Sequence, residues 1–357
     1  MLHYLRDAIQ KGIDIYIFGC GVSGEKVYTA LTISGVIVKG FFDNAYPEGC
    51  KLGEKHILPL QKLYTCDKEK TYIIIASGAR KAIEEQLEKV GVKHVIDRRE
   101  LAVERRSEYQ PIVFETCEKP EVSILVTAYN EWQYTYNCLY SLSKHMIWTP
   151  YEIIFGDDVS TDRNKEAEKY FQGICAVHNK KRLNYLKNVN NIAKLAKGEY
   201  ILLLANDTVI LQDYWIDKML NMMKADSNIG MLSGKYWVPL TGKYDTACNY
   251  GENWEKIELS PDTHTQAVEY VPPVAAMIRK SVWEKVGGFS EEFLPAYWED
   301  NDLCMKIISA GYKCVYAPEI ETIHFRGVTY EKNVEVSKIM EQNFNLFIDK
   351  WKCYKSC

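Results

Sequence analysis

Residues 196–208 read AKGEYILLLANDT, and this stretch decides the fold. Tyr200–Ala205 is an unbroken apolar run, too short to cross a bilayer and of the right length for a strand buried on both faces. It stops abruptly at Asn206-Asp207-Thr208. A buried strand that ends in a carboxylate is costly unless the acid meets a cation or a donor. Asp207 is therefore a candidate ligand for a hard divalent metal.

Other stretches repeat the pattern. VSILVTA (122–128) runs into Tyr129-Asn130-Glu131, and YEIIFGD (151–157) runs into the Asp157-Asp158 pair. RLNYLKN (182–188) and KCVYAPE (313–319) complete the expected strands. A fourth acidic cluster, Trp298-Glu299-Asp300-Asn301-Asp302, is followed by His324. Three of the clusters sit at C-terminal strand ends, the edge where open α/β sheets bind ligands. Any one of them alone reads as a turn or a cap. Four in order along one alternating segment point to a site.

The first hundred residues alternate in the same way. IDIYIFG (13–19), VIVKGFFDN (36–44), TYIIIASG (71–78) and HVID (94–97) are strands, with helices expected over 25–33 and 79–90. Such alternation implies a parallel sheet with helices on its faces. After the first strand comes Gly19-Cys20-Gly21-Val22-Ser23-Gly24, and Asp43 ends the second. Gly19, Gly21 and Gly24 would let a phosphate approach the backbone at a helix N-terminus, and Asp43 would take a ribose. The unit is short, enough for one mononucleotide-binding half, and it resembles the small Rossmann-like domains that precede some sugar-modifying enzymes. Ligand binding and a structural or oligomerising role are both open for it.

The chain has 357 residues, 47% hydrophobic and 26% charged, which fits two or three globular domains and excludes a disordered or fibrous chain. With 44 basic and 48 acidic residues, it offers no electrostatic case for nucleic acid. The 11 cysteines have no repeating spacing, and no secretory leader is read at the N-terminus. Reduced thiols in a cytoplasmic protein are expected. Residues 98–120 are charged and read as a partly helical connector. A helix from 332 to 352 carries one apolar face (Val336, Ile339, Met340, Phe344, Phe347, Ile348) and ends among lysines. That face would pack on the domain, or meet a partner or the inner face of a membrane.

The block VAAMIRKSVWEKVGGFSEEFLPAYWEDNDLCMKIISAGYKCVYAPEIETIHFRG (274–327), with VSILVTAYNE, YEIIFGDDVSTD and AKGEYILLLANDT, resembles the family 2 glycosyltransferases of the GT-A fold, inverting enzymes that use nucleotide-sugars. The resemblance covers residues 122–327. It implies roles at matching positions. Thr127, Tyr129, Glu131, Asp157, Asp158 and Asn206 would bind the donor nucleotide. Asp207 and His324 would hold Mn²⁺ or Mg²⁺. Asp300, beside Glu299, would be the catalytic base, with Gly288 and Trp298 on the acceptor side. Two positions depart from the family pattern: its D-x-D is Ala205-Asn206-Asp207 here, and its Gly-Ser after the acid pair is Val159-Ser160. Residues 233–270 are expected to contact the acceptor.

The expected architecture is α/β. It comprises a Rossmann-like parallel-sheet domain (1–110), a linker (111–120), a GT-A nucleotide-diphospho-sugar transferase domain (121–330) and a helical tail (331–357). The expected activity is inverting transfer of a sugar to a glycan or lipid-linked saccharide in surface polysaccharide synthesis. A nucleotide-sugar-binding protein with weakened turnover is the alternative. A nucleotidyltransferase would want a glycine-rich basic loop where TAYNEWQYT stands, and a dehydrogenase would rest on the N-terminal loop alone. His145 and His178 show no ligand-like spacing, and the tryptophans other than Trp298 are expected in the core.

Overall fold

The computed structural model describes residues 12–33, 36–46, 49–52, 55–77, 79–97, 109–239, 243–326 and 336–354. The chain divides into two compact units, Met1–Arg105 with Val238–Lys243, and Arg106–Trp237 with Tyr244–Cys357. The expected helical part of the connector at 98–108 and the first residues of the tail helix, 332–335, lie outside the described residues.

In the first unit, β1 (Asp14–Phe18), α1 (Val22–Ile33), β2 (Val38–Phe42), β3 (Thr71–Ile75), α2 (Arg80–Val90) and β4 (His94–Asp97) follow one another. The strands form a parallel sheet in the order β2-β1-β3-β4. Side chains alternate across it. Ile15 and Ile17 pack with Val27 and Leu31 of α1, while Tyr16 and Phe18 pack with Ile83 and Leu87 of α2. Gly91, in the left-handed region at φ 79°, closes α2.

The second unit opens with β5 (Ile112–Val113), inside the expected linker, and continues with β6 (Val122–Ala128), α3 (Trp132–Lys144) and β7 (Tyr151–Asp157). Next come β8 (Phe171–Gln172), β9 (Cys175–His178), α4 (Asn184–Ala193), β10 (Tyr200–Ala205), β11 (Thr208–Ile210) and α5 (Trp215–Ala225). Then follow β12 (Ile229–Val238), β13 (Gln266–Val268), β14 (Ala275–Arg279), α6 (Lys280–Val286), α7 (Glu299–Ser309), β15 (Lys313–His324) and α8 (Val336–Trp351). The large sheet runs β9-β7-β6-β10-β14-β12-β15-β11, with Lys243–Asp245 on β12 and β13 on β15. The pairs from β9 to β10 are parallel, and β14 is antiparallel to both its neighbours. β5 pairs with β8 in a separate two-stranded sheet, so backbone hydrogen bonds tie the expected linker into this unit.

Each face of the large sheet carries its own core. Val122, Ile124, Val126, Leu202 and Leu204 face α3 and α5, whereas Leu125, Ile154, Ile201 and Leu203 face α4, α6 and α7. Burying one such side chain contributes about 1.5–3 kcal/mol. The expected strand at 182–188 is instead mostly helix. Leu186, Val189, Ile192 and Ala193 are its buried apolar residues, spaced by three, three and one, and this helical period overrides the short apolar run around Tyr185.

Candidate functional site

Sheet register brings the strand ends level. Thr127 of β6 lies opposite Gly156 of β7 and Ala205 of β10. Everything that follows these residues therefore projects from one edge.

The Asp157-Asp158 pair is buried there and already hydrogen-bonded. Asp157 accepts from the Ser160 amide at 3.0 Å and faces His178 Nδ1 at 3.0 Å. Asp158 accepts from the amides of Leu183 (2.7 Å) and Asn184 (2.8 Å) and from Asn179 Nδ2 (3.2 Å), and pairs with Arg182 Nε (3.0 Å). Both acids thus fasten loops as well as lining the edge. Arg182 also covers the Tyr129 ring, 3.0 Å from its centroid. His178 bridges Asp157 and Glu168. Burial disfavours its charged ring, but the hydrogen bonds to both acids outweigh this and raise its pKa. The sequence reading passed over His178, although it ends a strand at the same edge as the acids.

The turns around these acids are knitted together. Asn130 and Glu131 are left-handed at φ 55° and 59°. The Asn130 amide donates to Ser160 Oγ at 2.8 Å, and the Trp132 amide donates to Asp162 at 2.8 Å. Glu131 accepts from Gln133 at 3.3 Å. Val159 is left-handed at φ 65°, a conformation that disfavours a β-branched residue.

Beyond β10, Asn206 donates its amide to Thr135 Oγ1 at 2.9 Å. β11 pairs antiparallel with β15, setting Thr208 opposite His324. His324 Nε2 thereby comes within 3.1 Å of Asp207 Oδ1. Its ring stands edge-on to Tyr236 at 5.0 Å, and its Nδ1 is buried with no hydrogen-bond partner among the described residues. Asp207 Oδ1 and His324 Nε2, a carboxylate oxygen and an imidazole nitrogen side by side, are donor types that divalent cations take. No cluster of three such ligands occurs among the described residues.

The Glu299-Asp300 pair occupies the first turn of α7. Asp300 Oδ2 accepts from the Tyr270 hydroxyl at 2.8 Å, and Oδ1 accepts from the Asn301 amide at 2.8 Å. Glu299 is buried, and one of its oxygens has no partner among the described residues. Burial, then the neighbouring Asp300, push its carboxyl up to about 8. Trp298 packs on Phe344 and Phe347, with Lys256 Nζ 5.0 Å from its ring. Gly288, at φ 61°, has its Cβ direction filled by Asn190 and the Trp283 ring, so close packing dictates glycine there. Of the remaining tryptophans, Trp148 departs from the expected core placement. It is 76% exposed and packs at a tilt against Tyr214, because its loop lies outside both cores.

Tyr185, Tyr236 and Tyr270 lie within the field of these acids. Burial raises the pKa of Tyr185, and Glu299, Asp300 and Asp207 add to the rise in that order. Tyr236 is raised by burial, with Asp300 and Asp207 contributing, and Tyr270 by burial and then Asp300.

In the first unit, Asp43 turns back on the glycine loop. Its Oδ2 accepts from the Cys20 amide at 2.6 Å and its Oδ1 from the Ala45 amide at 2.7 Å. Burial, then Asp43, push the Cys20 thiol up to about 12. Gly19 sits at φ 116°, where a Cβ would meet the Ala76 carbonyl at 2.8 Å. Gly21 faces open space, and Gly24 lies within α1.

Residues 123–287 match the model of glycosyl transferase family 2. O-antigen chain rhamnosyltransferase WbaN of Salmonella anatum is 22% identical over 218 residues, 59% of this chain and 68% of that protein. An uncharacterized protein, y4gI, of Sinorhizobium fredii is 20% identical over 255 residues, 66% of this chain. The match spans only 28% of that relative's length. Among solved structures, GalNAc-T7 with UDP, GalNAc and Mn²⁺ aligns at a TM-score of 0.52 and 16% identity, covering 67% of this chain and 50% of that one. The fold and the matched residues agree: the second unit carries a GT-A fold, and its residues 123–287 are similar to glycosyl transferase family 2.

Proposed function

We propose that the chain is an inverting, metal-assisted glycosyltransferase that moves a sugar from a nucleotide-sugar to a hydroxyl of a saccharide acceptor. The observation that carries this reading is the pairing of Asp207 with His324 at the end of β10, on the same sheet edge as the Asp157-Asp158 turn.

In this reading Thr127, Tyr129, Glu131 and the Asp157-Asp158 turns hold the nucleotide at the strand ends. Asp207 and His324 hold Mn²⁺ or Mg²⁺, which neutralises charge on the leaving diphosphate when bound. Asp300 takes the proton from the acceptor hydroxyl as its oxygen attacks the anomeric carbon. The carbon–oxygen bond to the diphosphate breaks, its electron pair stays with the diphosphate, and the configuration inverts. Tyr270 and Asn301 keep Asp300 in place by donating to both its oxygens. Glu299, held protonated near neutrality, adds no second negative charge beside the base. Trp298 and the described residues of 233–270 (233–239 and 243–270) face the acceptor, while 240–242 lie outside the described residues.

Likeness to an O-antigen rhamnosyltransferase supports a surface polysaccharide as the product. No helix among the described residues is long and apolar enough to cross a membrane. The reading takes the enzyme as cytoplasmic, with the tail helix or a partner as the means of any contact with the inner membrane face. A binding protein without turnover is the second reading. It is favoured by Asn206, which replaces a carboxylate and donates to Thr135.

A panel of nucleotide-sugars with Mn²⁺ and crude surface glycan tests the reading through nucleoside diphosphate release. Release with one donor, reduced about 10²–10⁴-fold in Asp300→Asn, is the expected result. Tight nucleotide binding without release by the wild type would favour the second reading.

A further inference from the structure

The loop that delivers Glu299 and Asp300 is an unfavourable piece of backbone. Tyr297 and Trp298 are consecutive non-glycine residues in the left-handed region, at φ 76° and 71°. Such conformations persist only where the surroundings hold them. Here the holding group is α8, far along the chain and outside the residues that match the family.

Asn343 of α8 is buried, and its Nδ2 donates to three carbonyls of the loop: Phe293 at 2.8 Å, Ala296 at 2.8 Å and Tyr297 at 3.0 Å. Phe344 and Phe347 meet the Trp298 ring at 4.7 and 5.1 Å. One turn into α7, the fully buried Asp302 receives Trp351 Nε1 at 2.9 Å and Lys350 Nζ at 2.8 Å, both from the end of α8. The loop and the helix it starts are thus gripped at three points by one element.

We propose that α8 is part of the catalytic apparatus, with Asn343 as the positioning residue that fixes the 293–298 loop and so aims Asp300 at the acceptor hydroxyl. This rests on Asp300 being the base. The nucleotide side is built from β6, β7 and the start of α4, so loosening α8 misplaces the base while leaving nucleotide binding intact. Displacement of about 1 Å at a reacting group can lower turnover 10²-fold.

The test uses the full chain and the variants Asn343→Ala and Phe344→Leu, the second keeping an apolar contact should the first fold poorly. Amide hydrogen exchange over 294–300 is expected to accelerate at least tenfold in Asn343→Ala, with β6 and β7 unchanged. Turnover kcat is expected to fall about 10- to 100-fold. KM for the donor and the affinity for nucleoside diphosphate should stay within about twofold, since Tyr129 and Asp158 lie on other elements. Phe344→Leu should show the same split at smaller amplitude. Unchanged exchange in the loop overturns the clamp, whatever the activity. A loosened loop with unchanged kcat overturns the positioning role alone. A wild type that neither binds nucleotide nor turns over any donor overturns the reading beneath it, while the exchange measurement still decides the clamp.

Discussion

Nε2 of His324 lies 3.1 Å from Oδ1 of Asp207, although 117 residues separate the two in sequence. The contact is made by strand pairing, because Thr208 of β11 sits opposite His324 of β15. If the pair holds the cation, Asp207→Asn should shift the Mn²⁺ activation midpoint upward at least tenfold while leaving the fold intact, and chelation should abolish activity. An unchanged Mn²⁺ titration in Asp207→Asn would place the cation elsewhere.

Val159 bears on stability. Its left-handed backbone costs about 1–3 kcal/mol for a non-glycine residue. Val159→Gly relieves that strain and adds chain freedom to the unfolded state, for a net gain of about 1 kcal/mol. Urea unfolding of the two proteins gives the difference directly, and a loss of stability would mean that the exposed valine side chain contributes more than its strain costs.

Glu299 makes stability depend on pH. Its folded carboxyl titrates at about 8, against about 4.3 in an unfolded chain. The folded state holds the proton more tightly, so this contribution is complete below pH 4.3 and is lost as pH rises through 8. The slope approaches about 1.4 kcal/mol per pH unit within that window. Glu299→Gln is neutral throughout. Relative to the wild type it should therefore gain stability between pH 5 and 8 and keep a constant difference above, as read from unfolding midpoints at pH 5, 7 and 9.

Gly198 precedes the strand on which the whole site depends. A Cβ there would sit 2.8 Å from both the Glu121 carbonyl oxygen and the Ser123 amide nitrogen. These are backbone atoms and cannot swing away. Gly198→Ala should cost about 3 kcal/mol by forcing β6 and β10 apart. A thermal melt within a degree of the wild type would show that the backbone yields more easily than its close packing suggests.

The strand ends and their acids were legible in the sequence because local chemistry dictates them. An apolar run such as Tyr200–Ala205 has to be buried, and the polar residues that stop it have to lie at its edge. Helical spacing around Leu186 and Val189 was equally local, yet the run at 182–188 was short enough to read as a strand. What could not be read depended on partners distant in sequence. His178 owes its role to Asp157, 21 residues away, and Asn343 bonds carbonyls 46 to 50 residues away. A carbonyl has no side-chain identity, so no pattern of residue types announces it. Likewise, nothing in the string of letters shows that Asp43 is turned toward Cys20.

β15 runs for twelve residues from Lys313, and only its last one meets Asp207. Side chains on a strand alternate faces, so a single residue inserted into the regular stretch 321–324, which pairs in register with β12 and β11, would turn the imidazole to the opposite side of the sheet. Two inserted residues would restore the face but carry the ring about 7 Å along the strand. The strand therefore acts as a ruler with one usable mark. Relatives that keep this chemistry should vary freely in the length of their loops, but not in the residue count between the β12–β15 pairing and the histidine.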